Sequence, residues 1–453
     1  MAIERGQLAG LLWFRTALGT TVEGAAARIH RLRAAWPEGV VCFFAADEEG
    51  GLIEQLSGLE DASGRKWPRL PPARALGRGG DPDVAFAHGR EIGRRMRRVG
   101  LDVTLAPVVD LDPGPESPVL GTRCFGEDPQ LVAGLALGWL RGLCSAGVRG
   151  CIKHYPGHGA TRLDSHDELP RIAKDQDADR HRAPFAMIAD RWRAEDGPLP
   201  GVLTAHVVRE PSVRPVTLDQ AALAKLPKGL GPIWTDSLDM GALGAFGGVV
   251  SCGESAAAAG ADLLVVGVDH LGGLDLAREL TAASTDRVVG WGASHVVPRE
   301  IPEAWPEAEI ERAAAAGFRL LHEQPMPDGE WDWILPSDFG AYGTVAEPAA
   351  DPGGRRRIGR LLRYDFDNTG SLERALAGDA RYPALVGWIH RGLPDSETQE
   401  ILEAHRSRVK AVVHLLDAPG TAVVPGVWTI ETCGYGEGEM VSLERVWKEA
   451  PAP

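Results

Sequence analysis

The chain has 453 residues, 44% of them hydrophobic and 25% charged, with a formal net charge of -15. That length exceeds one ordinary domain, whereas a parallel barrel of about 250 residues stands alone, so one large and one smaller unit are expected. The composition is that of a packed chain and excludes a disordered one. The acidic balance argues against a nucleic-acid partner, whose affinity rests on Lys and Arg neutralising phosphates.

The N-terminal apolar run from Leu8 to Phe14 is interrupted by Gly10 and lacks the basic, apolar, small-residue layout of a signal peptide. No stretch approaches the roughly 20 apolar residues of a membrane-spanning helix. Cys42, Cys124, Cys144, Cys151, Cys252 and Cys433 are scattered, with no C-x-x-C pair, and read as small core residues of a reducing compartment. A cytoplasmic location and no membrane partner are expected.

Short apolar runs then recur, each ending in polar residues. They are Leu11 to Phe14, Val40 to Ala46 before Asp47, Leu101 to Val109 before Asp110, and Cys151 to Ile152 before Lys153 and His154. Val202 to Ala205 before His206, Ile233 to Thr235 before Asp236, and Leu263 to Val268 before Asp269 and His270 follow. Helical spacing fills the intervals, as in Pro82 to Val99 and Pro129 to Ser145. This alternation predicts a (β/α)8-type TIM barrel, with an eighth strand sought near Arg287 to Trp291. The barrel domain is expected over 1–325, ending with a helix over Glu307 to His322. A Pro-, Gly- and Asp-rich linker follows over 326–358, then a smaller C-terminal α/β domain over 359–453. Within that domain, strands are expected at Ala384 to Ile389, Val409 to Leu416 and Val427 to Cys433, and helices at Asp395 to His405 and Met440 to Ala450.

Active sites of such barrels collect at the C-terminal strand ends. The stretch KHYPGHGATRLDSH, Lys153 to His166, places a lysine, three histidines and an aspartate around glycines directly after a strand. Asp164 and His166, two apart, suit pairing: an aspartate on one ring nitrogen fixes the tautomer and aims the other at a substrate. His154, His158 and His166 also suit zinc, but the H-E-x-x-H pairing is absent, and neither metal nor cofactor is expected. A strand-end aspartate such as Asp47, Asp110 or Asp269 reads equally well as a helix cap, and Asp110 and Asp269 are taken as structural.

The same stretch resembles the K-H-F-P-G-H-G-x-x-x-x-D-S-H signature of family 3 glycoside hydrolases of the β-N-acetylglucosaminidase branch, with Tyr155 for Phe. PIWTDSLDMGAL, Pro232 to Leu243, resembles the family's S-D-D-L-x-M segment, with Ser237 for its second aspartate. FFAADEEGG, APVVDL and TRCFGEDP resemble three further family segments, starting at Phe43, Ala106 and Thr122. The resemblance implies a retaining exo-β-N-acetylglucosaminidase acting on terminal β-linked N-acetylglucosamine, including that of peptidoglycan-derived fragments. It assigns Asp236 as nucleophile and His166, oriented by Asp164, as acid/base, with Asp47, Arg123, Lys153 and His154 holding the sugar. Leu52 and Gln55 stand where the family usually has arginines, so one sugar-binding cation is expected to be missing. A glycoside phosphorylase or β-glucosidase-like hydrolase of the same family, and an inactive sugar-binding homologue, are the alternatives.

Overall fold

A computed structural model describes residues 8–40, 42–113, 120–161, 169–172, 178–280, 286–293, 300–316, 319–320, 331–336, 358–364, 369–377, 384–388, 396–414 and 428–431. Its strands begin with β1 (Gly10–Leu12), β2 (Phe43–Ala46), β3 (Val103–Thr104) and β4 (Arg149–Tyr155), then β5 (Arg171–Ile172), β6 (Gly201–Thr204), β7 (Val208–Arg209) and β8 (Ile233–Thr235). Six of them form a parallel sheet in the order β1-β2-β3-β4-β6-β8, and β5 pairs with β7 beside it. The helices between and after them are α1 (Arg15–Leu18), α2 (Val22–Ala34), α3 (Ala73–Gly79), α4 (Pro82–Val99), α5 (Pro129–Ser145) and α6 (Ala178–Arg191). They continue with α7 (Gln220–Leu223), α8 (Val249–Ala259), α9 (His270–Glu279), α10 (Asp286–Ala293) and α11 (Glu307–Ala315).

The apolar runs are continuous because each strand buries both faces. Phe43 and Ala45 of β2 enter one cluster with Val103, Cys151, Leu203 and Trp234, the barrel interior. Phe44 and Ala46 enter the other with Ile152, Val202, Ile233 and the helices. The period of two is thus hidden in a sheet that faces no water. The two longest crossover helices start alike: Asp81 and Asp128 are N-caps that accept backbone N–H groups, and Pro82 and Pro129 take the first helical position, which needs no donor. Helices α4 and α5 press together at glycines, where a Cβ on Gly89 would lie 2.0 Å from the Trp139 carbonyl oxygen.

The barrel class stands, with differences of detail. Leu263 is joined to Trp234 only by an isolated parallel bridge rather than a full seventh strand. The segment sought as an eighth strand is helix α10. Its Val288 and Trp291, three apart on one helix face, pack into the barrel interior, with the Trp291 ring centroid 5.2 Å from that of Phe43.

A second sheet contains β9 (Arg319–Leu320), β10 (Trp331–Pro336), β11 (Ile358–Tyr364), β12 (Ala384–Trp388), β13 (Val409–His414) and β14 (Trp428–Glu431), with helices α12 (Thr369–Ala377) and α13 (Ser396–Ala404). Its order is β11-β10-β12-β13-β14-β9, parallel except for β14 against β9. Within the stretch read as a linker over 326–358, Trp331–Pro336 is an inner strand paired on both sides, because its hydrophobic core W-D-W-I-L outweighs the Pro- and Gly-rich flanks. Helix α11 ends at Ala315, short of His322, and Arg319–Leu320 pairs with the last strand. The helix expected over Met440 to Ala450 lies outside the described residues.

Candidate active site

Parallel strands deliver their C-terminal ends to one rim. Asp47 and Glu49 leave β2, Lys153 and His154 belong to the end of β4, His206 follows β6 and Asp236 follows β8, while Arg123 closes a short 3-10 turn, Gly121–Arg123. Five of the seven residues singled out from the sequence, Asp47, Arg123, Lys153, His154 and Asp236, meet there. Asp164 and His166 lie outside the described residues.

The cations are held by two carboxylates of unequal exposure. Lys153 Nζ lies 2.6 Å from Asp47 Oδ1 and 2.6 Å from Glu49 Oε1, and Arg123 donates to both Glu49 oxygens from Nε at 2.9 Å and Nη2 at 2.8 Å. The Asp47 side chain is 24% exposed, against 5% for Glu49. Asp47 is therefore the solvent-reaching partner, and Glu49 is the buried anchor that orients Lys153 and Arg123. Burial opposes ionisation of Glu49, yet the two cations overcome it and hold its carboxyl at about 2. The Lys153 ammonium, penalised by burial, is nonetheless raised by Asp47 and Glu49, and Arg123 is raised by Glu49 against the same penalty.

Asp236 accepts the Ser237 backbone N–H at 2.8 Å, while its own N–H donates to the Thr204 carbonyl at 3.1 Å. Burial pushes its carboxyl upward, but His154, His206, the Ser237 N–H and Lys153 together bring it below the ordinary aspartate range. His206 donates from Nε2 to the Ser237 carbonyl at 2.8 Å, and its Nδ1 pairs with Thr217 Oγ1 at 3.0 Å, fixing the turn that carries Asp236. Asp239 accepts the N–H groups of Gly267, Val268 and Asp269 at 3.2, 2.7 and 2.7 Å, tying this turn to the neighbouring loop. The result is a buried carboxylate held below its ordinary range beside a cationic, hydrogen-bonding floor.

One sequence reading changes. Asp110 caps no helix; it is fully buried and accepts from His154 Nδ1 at 2.6 Å, the His154 backbone N–H at 3.2 Å and the His158 N–H at 2.7 Å. Gln55 is buried, donating to the Asp47 carbonyl at 3.2 Å and accepting the Arg15 N–H at 2.8 Å. Asp269 does cap α9, accepting the Gly272 N–H. Sequence reasoning passed over Glu49, although it stands two residues after Asp47 and so shares its direction from the strand end.

Behind this floor Glu48 is fully buried, with Oε2 accepting the Gln55 N–H at 2.6 Å and the Leu56 N–H at 3.3 Å. Burial, then the neighbouring Glu54, pushes its carboxyl up from 4.5 to about 8. A raised carboxyl favours folding fully below 4.5, and that contribution is lost as pH climbs through about 8. Glu48→Gln, which keeps the accepting oxygen, is expected to raise the thermal midpoint at pH 9 and leave it unchanged at pH 4. Equal shifts at both values, measured by scanning calorimetry, would refute the assignment.

The sequence pattern of the glycosyl hydrolase family 3 N-terminal domain matches residues 1–282. A β-hexosaminidase of Bordetella avium (strain 197N) is 32% identical over 240 residues, which is 49% of this chain and 63% of that enzyme, a little under two thirds of its length. A β-hexosaminidase of Pseudomonas aeruginosa (strain LESB58) is 32% identical over 279 residues, 58% of this chain and 79% of the relative. Among solved structures, a family 3 β-N-acetylglucosaminidase from Paenibacillus sp. str. FPU-7 superposes with a TM-score of 0.79 at 24% identity. That alignment covers 99% of this chain and 93% of the other, a likeness of fold. With the family pattern spanning well over half its length, the chain belongs to glycosyl hydrolase family 3.

Proposed function

We propose that the chain is a retaining exo-β-N-acetylglucosaminidase, and that Asp236 attacks the anomeric carbon while His166, oriented by Asp164, protonates the leaving oxygen. Water then releases the sugar with His166 as base, so that two displacements restore the starting configuration. The carrying observation is the ionised Asp236 facing Asp47, Arg123, Lys153 and His154 at one barrel rim. The names of the aligned relatives support the sugar specificity. The K-H-x-P-G-H-G and D-S-H motifs supply the acid/base assignment.

The reading extends to peptidoglycan-derived fragments as the source of the sugar and to action in the cytoplasm. Cys42, Cys144, Cys151 and Cys252 are free thiols, as a reducing compartment leaves them. Among the described residues no helix is long and apolar enough to cross a membrane.

The test is release of nitrophenol from the β-N-acetylglucosaminide and the β-glucoside, with and without inorganic phosphate. The acetamido sugar is expected to turn over at least about tenfold faster, with phosphate without effect and the β-anomer of the free sugar appearing first by proton NMR. Phosphate-dependent turnover would replace hydrolysis by phosphorolysis. Silence of folded protein on both glycosides would leave an inactive sugar-binding homologue.

A further inference from the structure

Asp110 enters neither the grip on the sugar nor the displacement itself, yet it is one of the most completely buried carboxylates in the described structure. Backbone pairing puts it there. The Val109 N–H donates to the Lys153 carbonyl at 2.8 Å and the Lys153 N–H to the Pro107 carbonyl at 3.2 Å, so the chain after β3 runs alongside the end of β4 and delivers Asp110 to the next residue, His154. Its two oxygens take three N–H donors, two from the backbone and one from the imidazole. Backbone donors cannot reverse their role, so a carboxyl so placed is an acceptor at both oxygens.

The other side of the imidazole gives the same answer independently. His154 Nε2 lies 3.5 Å from Arg123 Nη2, and a guanidinium only donates. An acceptor faces Nδ1 and a donor faces Nε2, which leaves one tautomer that satisfies both: the proton on Nδ1 and the lone pair on Nε2. The 3.5 Å separation on the Arg123 side is long for a hydrogen bond, so that lone pair is only weakly engaged.

We propose that Asp110 is a positioning residue that fixes His154 as the Nδ1–H tautomer, so that Nε2 accepts a hydrogen bond from a sugar hydroxyl beside Arg123. The sugar-facing half of this rests on the reading of the preceding section; the tautomer does not. The ligand recognised at this point is a hydroxyl donor, and a deoxy sugar lacking it leaves Nε2 with Arg123 alone. In Asp110→Asn the side-chain oxygen still accepts the His158 N–H, but the amide NH2 takes the place of Oδ2, where it gives up the bond from the His154 backbone N–H and turns a donor toward Nδ1. The ring must then give up that proton and protonate Nε2, which meets the donating Arg123 head on. An amide in place of a triad aspartate acts on a histidine tautomer in the same manner in serine proteases.

Two measurements decide this. Long-range proton–nitrogen NMR of the histidine rings, with the His154 signals identified by their loss in His154→Ala, is expected to show Nδ1–H in the native chain and Nε2–H in Asp110→Asn. Nε2–H in the native chain overturns the proposal, even where the Asn variant does not fold. The second is a double-mutant cycle on kcat/KM: Asp110→Asn and His154→Ala are each expected to lose about 10²-fold, and the double variant little more than either. Losses that multiply would mean that Asp110 acts on the fold and not through His154. The NMR arm needs no turnover, so a native chain inactive on every glycoside would defeat the functional reading while the tautomer still decides on Asp110.

Discussion

Asp236→Asn is expected to lower kcat/KM on the β-N-acetylglucosaminide by about 10⁴-fold or more while the protein remains folded. The amide is nearly isosteric and its oxygen still accepts the Ser237 N–H, so the turn at the end of β8 keeps its bond. What disappears is the anion that His154, His206 and Lys153 jointly stabilise, and with it the electron pair that the proposed mechanism uses to attack the sugar. Because those neighbours lower the folded carboxyl below its ordinary value, Asp236 contributes stability above that value and loses it in acid. The Asn variant therefore gives up a small part of its stability at neutral pH. Asp236→Ala opens room for a small external nucleophile, and azide is expected to restore turnover with formation of the α-glycosyl azide. Residual activity within tenfold of the native chain would remove Asp236 from the chemistry.

The second large effect concerns Glu49, the anion behind Lys153 and Arg123. Glu49→Ala leaves Arg123 and the buried Lys153 with the partly exposed Asp47 as their remaining carboxylate of this network. Removing one partner of a buried ion pair costs about 3–5 kcal/mol, because the surviving charge stays out of water. In a chain of this size the thermal midpoint is expected to fall by roughly 3–5 °C. Activity falls as well, since neither cation is then fixed against the pocket. Glu49→Gln tests the electrostatics with less disturbance of packing. The native carboxyl is lowered from 4.5 to about 2, so its contribution is fully present above 4.5 and is lost as pH falls through about 2. The stability gap between native and Gln chains, from urea unfolding at several pH values, is expected to be widest above pH 4.5 and to close toward pH 2. A gap that does not vary with pH would show that Glu49 serves through packing alone.

Much of this architecture is written locally. The Asp-Pro starts of α4 and α5 are capping chemistry that operates within four residues, and both helices begin where those letters stand. The apolar runs announce buried parallel strands because a sheet covered on both faces needs no polar alternation. The polar residues ending those runs therefore mark the rim, which is how Asp47, Lys153, His154 and Asp236 were legible as site candidates. The helix α10 was misread because its isolated apolar letters, Val288, Val289 and Trp291, have no length from which to tell a strand from a helix.

What the sequence by itself determined is the barrel class, the strand ends and the family motifs, since each is carried by residues adjacent in the chain. Which carboxylate serves which cation was decided only by the tertiary structure. Asp47 and Glu49 are both carboxylates just past a strand end, and one becomes partly exposed and the other buried through the positions of Arg123 and Lys153, 74 residues and more than a hundred residues away. Asp110 reads as a cap until the pairing of residues 107–109 with Lys153 sets it against the His154 ring. The physical reason is the same in both cases: charge and hydrogen-bond pairing act over a few ångströms of space, and only the folded sheet brings those partners within reach.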